Sequence, residues 1–521
     1  MQKPQSVFKS WLPEKLLLPL LLVALLPHIL LLSLFSMNST FTASFLDVEV
    51  DDIQFLFSIA YATIVCGLFF HVRFFQFFNV RSFTLTMTML NIVILYIMSL
   101  TTNIQLLIVL RFIQGPLVLF EGCILLPVIM SLIKGENARL ISFSFLYAFM
   151  LTGDKFGTTL VKFAIENYTH HMIYYAIIAY HIVTLLIFIF IFNHNRLFPK
   201  KPLYQLNLGG IFLMVICLVS GAYFLIYGKQ FYWFESPKIT LAFTLSLVAG
   251  ALFLWREITS KRPLFHFEIF KSKRVVAGII LFFFFYILRS SMSNIYQVMS
   301  QVWKWPWEYV LKIQYFNVAG SFIGVFSAYL LMKNKVNYKI IFFIGFALLS
   351  ATMLYFSHIF LPDTRVEVVV YGLIMQGLGQ GLLFCPLVFF ITGSVHPSIS
   401  GSASQGGTAI RFWTNTIGFS IMQNVILRLT TKHQFLMTKN LDLTHPIFQK
   451  EWDELYHKFD VSHLTNDSLQ LAVGTLKSKL YQQALLVSNI EIFRSLFVLA
   501  LILALVVLIY PFIRSKLRFL N

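Results

Sequence analysis

The sequence predicts an all-α polytopic membrane protein of about 14 transmembrane helices, built as two six-helix bundles plus two inserted helices. Three observations carry this. Of 521 residues, 58% are hydrophobic and only 12% charged, with a mean hydropathy of +0.77, far outside the range of soluble domains. Apolar runs recur at the length a bilayer core about 30 Å thick demands, roughly 20 residues of helix each. Lysine and arginine are concentrated in alternate loops, as a multi-pass topology requires.

The first run, about 16–38, follows Lys3, Lys9 and Lys15; it is long and lacks a small-residue cleavage site, so it reads as a spanning helix and not as a removable leader. Runs at about 53–72, 83–101, 106–133, 141–165 and 172–193 complete a first bundle within residues 1–206. Runs at about 208–228 and 239–256 form the inserted pair, within 207–257. A basic linker, 258–274, leads into runs at about 275–299, 310–332, 339–361, 366–394, 402–427 and 491–513, the second bundle within 275–521. The segment 428–490 breaks the pattern of short loops. It contains "PIFQKEWDELYHKF", with Phe448, Trp452, Leu455 and Phe459 at helical spacing, and reads either as an amphipathic cap on the outer surface or as a docking site for a periplasmic partner.

The net charge of +18 gains meaning from its placement. With a cytoplasmic N-terminus, the inside segments hold roughly 22 basic residues, while the short outside loops hold Lys229, Lys238, Lys304 and Arg365. That bias places both termini in the cytoplasm, makes membrane lipid the partner of the basic linker, and gives no reason to expect nucleic acid. The first outside loop, "DVEVDD", is acidic instead.

Cys66, Cys123, Cys217 and Cys385 all fall within apolar runs without metal-ligand spacing, and the 13 histidines are scattered, so no metal site is expected. His170 and His171 pair at a helix end, where a solvated loop is the plainer reading. Walker A, HExxH and GxSxG motifs are missing, which leaves ATP-driven transport and the common hydrolases without their signatures. The chain is expected to be no enzyme and to need no cofactor beyond a proton gradient.

A two-fold repeat runs through the sequence. "RFIQGPLVLFEGCILLPVIM" (111–130) in the fourth run and "IMQGLGQGLLFCPLVFFI" (374–391) in the twelfth both carry Gln-Gly, small residues and then proline. "TGDKFG" (152–157) and "WTNTIG" (413–418) follow them in register, 40 and 39 residues on. Paired halves of this kind give secondary transporters their alternating access, with the substrate site between them at the midplane.

These motifs resemble the fourteen-helix drug:proton antiporter-2 family of the major facilitator superfamily, of which the chain is identified as a divergent member. "RFIQG" followed by Pro127 is similar to that family's fourth-helix motif, and "GLGQGLLFCPLVFF" with "GSASQGGTAIRFWTNTIGFSI" (401–421) resembles its stretch across helices 12 and 13, Arg411 and Gly418 included. "QALLVSNIEIF" (483–493) resembles the entry to the last helix, so the likeness runs along nearly the whole chain. The resemblance implies the major facilitator fold. Three departures stand out. Ser33 falls where the family has an aspartate before Asn38, the loop "GLFFHVRFFQFFNVR" (67–81) keeps basic residues but no aspartate, and Asp154 replaces the proline of the Gly-Pro-x-x-Gly-Gly motif.

Charges inside spans identify the candidate site, because an ionised side chain facing lipid at the bilayer centre costs at least about 2.5–3.5 kcal/mol. Glu121, Asp154, Lys155, Arg289 and Arg411 all count to near the centres of their helices, and Arg111 lies nearer one end. Asp154 and Lys155, adjacent in sequence, point about 100° apart on a helix and must find partners elsewhere: Arg111 or Arg411 for Asp154, Glu121 for Lys155. The candidate proton-coupling residues are therefore Asp154, Glu121, Lys155 and Arg111. Arg289 and Arg411, with Asn415, Tyr286, Tyr296 and Trp413, are the candidate substrate-binding residues. Gly115, Gly153, Gly157, Gly377, Gly381 and Gly418 are expected at close helix crossings or hinges. The competing reading of the charges is a set of structural ion pairs.

The expected function is proton-coupled export of amphipathic or anionic small molecules from a bacterial inner membrane, in the manner of drug efflux, with a periplasmic adaptor and an outer-membrane channel as possible partners. Lipid or fatty-acid export is the alternative transport reading. A non-transporting membrane sensor or scaffold is the alternative of another class.

Overall fold

In a computed structural model, the described residues lie between 7 and 510, excluding 33, 36–41, 44–45, 134–137, 168–170, 197–198, 201–202, 204–206, 261–262, 397–399, 440, 442–443, 445 and 461–464. Ser33, Asn38 and His170 therefore fall outside the described residues, as does the side chain of Asp154. The first half consists of α1 (Glu14–Leu32), α2 (Val50–Leu68), the short α3 (His71–Phe77), α4 (Val80–Ser99), α5 (Ile104–Leu132), α6 (Ala138–Asn167) and α7 (His171–Ile191). The inserted pair is α8 (Leu208–Tyr227) and α9 (Pro237–Thr259). The second half runs through α10 (Lys273–Ser290), α11 (Met292–Gln301), α12 (Trp307–Lys333), α13 (Tyr338–Ile359), α14 (Val366–Gly393), α15 (Ser400–Lys439), α16 (Pro446–Asp460) and α17 (Thr465–Ile509).

Among the described residues, 12 spans are long and apolar enough to cross a membrane, with α10 and α11 forming one of them. The other two helices expected to span, α6 and α15, are 30 and 40 residues long but more polar. Polarity has a physical reason here: both helices pack against the opposite half of the molecule, where polar groups meet protein and not lipid.

Helix pairing repeats across the molecule. In the first half α2 packs on α5, α4 on α5 and α7, and α1 on α5 and α6; in the second, α12 packs on α14, α13 on α14 and α17, and α10 on α14 and α15. The Gln-Gly motifs occupy equivalent crossings. A Cβ at Gly115 would stand 2.0 Å from Thr63 Oγ1 and 2.5 Å from the Ala60 carbonyl on α2, and one at Gly377 would stand 2.3 Å from the Asn317 carbonyl on α12. Only glycine lets these backbones approach so closely.

The inserted pair lies against α2 and α15. Phe55, Tyr223 and Tyr227 rings meet edge-on with centroids 5.4–5.6 Å from Phe55, and the Tyr227 hydroxyl donates to Asp52 Oδ1 at 2.5 Å. The opposite face of α9 is exposed and apolar (Leu241, Leu245, Val248, Leu252), as a lipid-facing surface should be. The linker to the second half is folded and anchored. Glu257 accepts from the backbone N–H groups of Leu264 at 2.5 Å and Phe265 at 3.1 Å, and Phe265 and Ile269 are buried.

Two local features depart from the simple pattern of spans. The ninth run is broken between α10 and α11 at Ser290 and Ser291, whose hydroxyls donate to the Ile287 and Leu288 carbonyls at 2.7 Å each and compete with the helix ladder. Secondly, α17 is 45 residues long, about 68 Å of helix against a hydrocarbon core of about 30 Å. The segment 428–490 is thus mostly the extensions of α15 and α17, braced by His433 to Glu491 at 2.9 Å, with α16 tied on through Lys479 and Glu451 at 3.1 Å.

Candidate functional site

The site forms along one face of α6. Residues four apart on a helix lie on one face, and Tyr147, Leu151, Lys155 and Thr159 are spaced in that way. Each meets a different part of the second half. The Arg411 guanidinium of α15 lies 5.9 Å from the Tyr147 ring centroid, Arg289 Nη2 of α10 donates to the Leu151 carbonyl at 3.2 Å, the Lys155 ammonium sits 4.9 Å above the Tyr296 ring of α11, and the Thr159 hydroxyl touches the Tyr315 hydroxyl of α12. Three cations and four aromatic or hydroxyl groups therefore line a single seam between the halves. A second seam joins α2 to α15 through the Tyr61 and Phe412 rings, 5.7 Å apart, and through Gln405 Nε2, which donates to the Leu68 carbonyl at 3.0 Å.

Arg411 is the most enclosed cation on the seam, only 7% exposed. Its guanidinium also faces the rings of Phe282 at 5.9 Å and Phe384 at 5.8 Å, while Nη2 donates to Thr408 Oγ1 at 2.8 Å. Its Nε has no hydrogen-bond partner, and no carboxylate among the described residues forms an ion pair with it. Cation–π attraction offsets part of the cost of burying this charge, at about 2 kcal/mol or more for a desolvated pair. The space that Arg411 itself lines is small, about 10 Å³, and a larger cavity of about 150 Å³ opens against Tyr147, lined also by Phe143, Val388, Phe389, Thr392, Gly401 and Ser404.

The remaining expected residues divide. Tyr286 is buried near Arg411, and Asn415 is half-buried one turn further along α15. Trp413 turns toward the inserted pair: a Cβ at Gly221 of α8 would lie 2.2 Å from its Cη2. Gly153 packs on the Ile29 side chain, Gly157 is buried, Gly381 faces the Ser321 carbonyl at a would-be 2.4 Å, and Gly418 meets Ser290 more loosely at 3.2 Å.

Glu121 and Arg111 are not in the seam. The expected pairing of Glu121 with Lys155 does not form, because Glu121 points into the first bundle, where α4 supplies Asn91 Nδ2 at 2.6 Å and the Thr88 hydroxyl, and α1 supplies His28 Nδ1 at 3.4 Å. Arg111 donates to the Leu31 carbonyl at 3.2 Å and Gln114 Oε1 at 2.7 Å and covers the Phe35 ring at 5.1 Å, so it too is held within the first bundle. The charges that the sequence places inside spans are thus divided among the seam and two separate polar groups within the first bundle, one around Glu121 and one around Arg111. Tyr147, Phe282 and Phe384 gave no signal in the sequence, being aromatic residues among 57 Phe and 22 Tyr. His28 and His181 did carry one, as imidazoles placed inside apolar runs.

The comparisons agree with this architecture. The family model for the Major Facilitator Superfamily matches residues 20–421. Curated relatives include the probable multidrug resistance protein EmrY of Escherichia coli K12, 22% identical over 80% of this chain and 79% of that protein, and the multidrug export protein EmrB of the same organism, 21% identical over 56% of this chain and 55% of that protein. Among solved structures, a POT family transporter in complex with a thioalcohol-conjugated peptide superposes with a TM-score of 0.60 over 96% of each chain at 13% identity, a likeness of fold. With a match across most of its length and the paired six-helix architecture, this chain belongs to the major facilitator superfamily and is a multi-pass membrane transporter, not an enzyme.

Proposed function

We propose that the chain exports amphipathic or anionic small molecules across a bacterial inner membrane by alternating access, driven by the proton gradient. One observation carries the reading: Arg411, buried between the halves among Tyr147, Phe282 and Phe384, with no carboxylate partner among the described residues. A guest with an anionic head and an apolar body supplies what that position lacks, a counter-charge and contact area against aromatic faces. Residues 1–206 and 275–521 are the two units that rock about the seam, with 207–257 riding on the edge and 258–274 as the linker. The α6 contacts of Leu151, Lys155 and Thr159 would part and reform as they do so. Asp154, next in sequence to Lys155, is the carboxylate we assign to proton coupling, since a titratable group inside a span is what such coupling requires. The names of the curated relatives favour drug export over the lipid and scaffold readings. We read both termini as cytoplasmic from the distribution of basic residues; the extensions of α15 and α17 would then lie outside, where a periplasmic adaptor would dock.

Proteoliposomes carrying an imposed pH gradient test this with an anionic amphipathic dye. Gradient-driven flux is expected from the unmodified chain, with loss of coupling in Asp154→Asn. Proton-driven flux that survives Asp154→Asn unchanged removes Asp154 from the coupling role.

A further inference from the structure

The first bundle encloses a second polar group that the transport reading does not use. Glu121 of α5, His28 of α1 and His181 of α7 are all buried, and one ligand atom from each lies within 4.8 Å of the others. The two imidazole rings meet edge-on with centroids 5.8 Å apart. His181 Nδ1 lies 2.9 Å from the Ile177 carbonyl, which can only accept, so the ring proton is on Nδ1 and Nε2 is a bare lone pair. That Nε2 has no hydrogen-bond partner, and neither do the ring nitrogens of His28 or Oδ1 of Asn91.

A neutral His28 has one N–H to offer, and its Nδ1 faces Glu121 Oε2 at 3.4 Å; with that donor spent there, His28 Nε2, His181 Nε2 and Asn91 Oδ1 remain as acceptors without a donor, in a setting where buried polar atoms are nearly always partnered. A single proton would join one pair of these atoms and leave the others orphaned. One divalent cation would satisfy the carboxylate and both imidazoles together.

We propose that His28, Glu121 and His181 form a binding site for one transition-metal ion of the zinc class, clamping α1, α5 and α7. Two imidazoles and one carboxylate suit zinc, whereas magnesium and calcium favour sets made wholly of oxygen. Bonds of about 2.0–2.2 Å around a tetrahedral ion separate the ligand atoms by roughly 3.4 Å, so atoms now within 4.8 Å of one another must close by up to about 1.4 Å, within reach of side-chain rotation. The outer contacts that such ligands need are in place: the Ile177 carbonyl orients His181, and Asn91 with Thr88 orients Glu121. A fourth position is left for water, a small anion or Asn91 Oδ1. The site shares no residue with the α6 seam, and it assigns Glu121 to a metal and not to the proton.

The test uses the full-length chain purified in detergent and stripped of metal with a chelator. After loading with Zn²⁺ and desalting, mass spectrometry is expected to find one ion per chain, Co²⁺ to give the absorption of a four-coordinate site, and Zn²⁺ to raise the melting temperature. His28→Gln and His181→Gln should each lose the retained ion and weaken Co²⁺ binding about 100-fold or more, and Asn91→Ala should weaken it by roughly 10–100-fold. His358→Gln, at an exposed position, should match the unmodified chain. Retention of no zinc by the unmodified chain, or of equal zinc by both histidine variants, overturns the proposal. Should the variants fail to fold, the unmodified chain still decides: no four-coordinate cobalt band and no rise in melting temperature refute the site.

Discussion

Replacing Gly377 by alanine tests the close crossing of α12 and α14, on which the packing of the second half depends. The added methyl would stand 2.3 Å from the Asn317 carbonyl oxygen, 2.8 Å from the Ser321 nitrogen and 3.0 Å from the Gly320 carbonyl carbon, all backbone atoms. An ordinary carbon–oxygen contact needs about 1 Å more, and backbone cannot rotate away as a side chain can. Gly320 and Gly324 on α12 present the same problem in reverse, each with a would-be Cβ 2.4 Å from a carbonyl of α14, so the helices must separate along several turns. Overpacking of this kind costs about 1–3 kcal/mol per site, which for a large domain lowers the melting temperature by about 2–4 °C per kcal/mol. Thermal unfolding of the detergent-purified protein, followed by tryptophan fluorescence, should show a fall of several degrees for Gly377→Ala and none for Gly401→Ala, where a Cβ meets nothing within 4 Å. Equal melting temperatures for both variants would refute the close crossing.

Tyr227→Phe removes the 2.5 Å hydrogen bond to Asp52 that ties the inserted pair to α2, and thermal unfolding should register a loss of about 1.5–3 kcal/mol, the range for a bond to a charged group. Glu257→Gln weakens the hold on the Leu264 and Phe265 N–H groups, so limited proteolysis should cut the 258–274 linker faster than in the unmodified chain. His71, on the short α3, is pushed below its ordinary value by burial, against a smaller opposing effect of the Leu68 carbonyl. The unfolded chain then binds a proton below about pH 6.5 that the folded chain resists, so stability falls as pH drops below that value, and His71→Gln should flatten this part of the melting-temperature profile.

Hydropathy and charge placement made the membrane helices legible, because lipid imposes the same length and composition on every span. The two least apolar spans, α6 and α15, are legible as the runs 141–165 and 402–427, and the repeat that aligns Gly153 with Thr414 and Gly157 with Gly418 sets them in equivalent places. Depth along a helix was also readable, and it marked Glu121, Lys155, Arg289 and Arg411 as charges inside spans. Facing was not. Glu121 turns toward His28 and Lys155 toward Tyr296, and that distinction depends on how α5 and α6 rotate in their bundles, which long apolar helices with little amphipathic contrast do not declare. For the same reason Trp413, adjacent in sequence to the ring of residues around Arg411, packs against Gly221 instead. The break at Ser290–Ser291 was present in the sequence as a polar pair in an apolar run, a signal too short to separate a kink from a solvated face.

Flux of an anionic amphipathic dye through Arg411→Met in proteoliposomes bears most directly on the claim that a guest is held between the halves by a buried cation. Methionine keeps much of the volume and apolar contact with Tyr147, Phe282 and Phe384 but removes the charge. Gradient-driven transport of the anionic dye should fall by at least tenfold, while a neutral dye of the same size is carried nearly as before. Equal rates for the anionic dye in Arg411→Met and the unmodified chain would contradict the account.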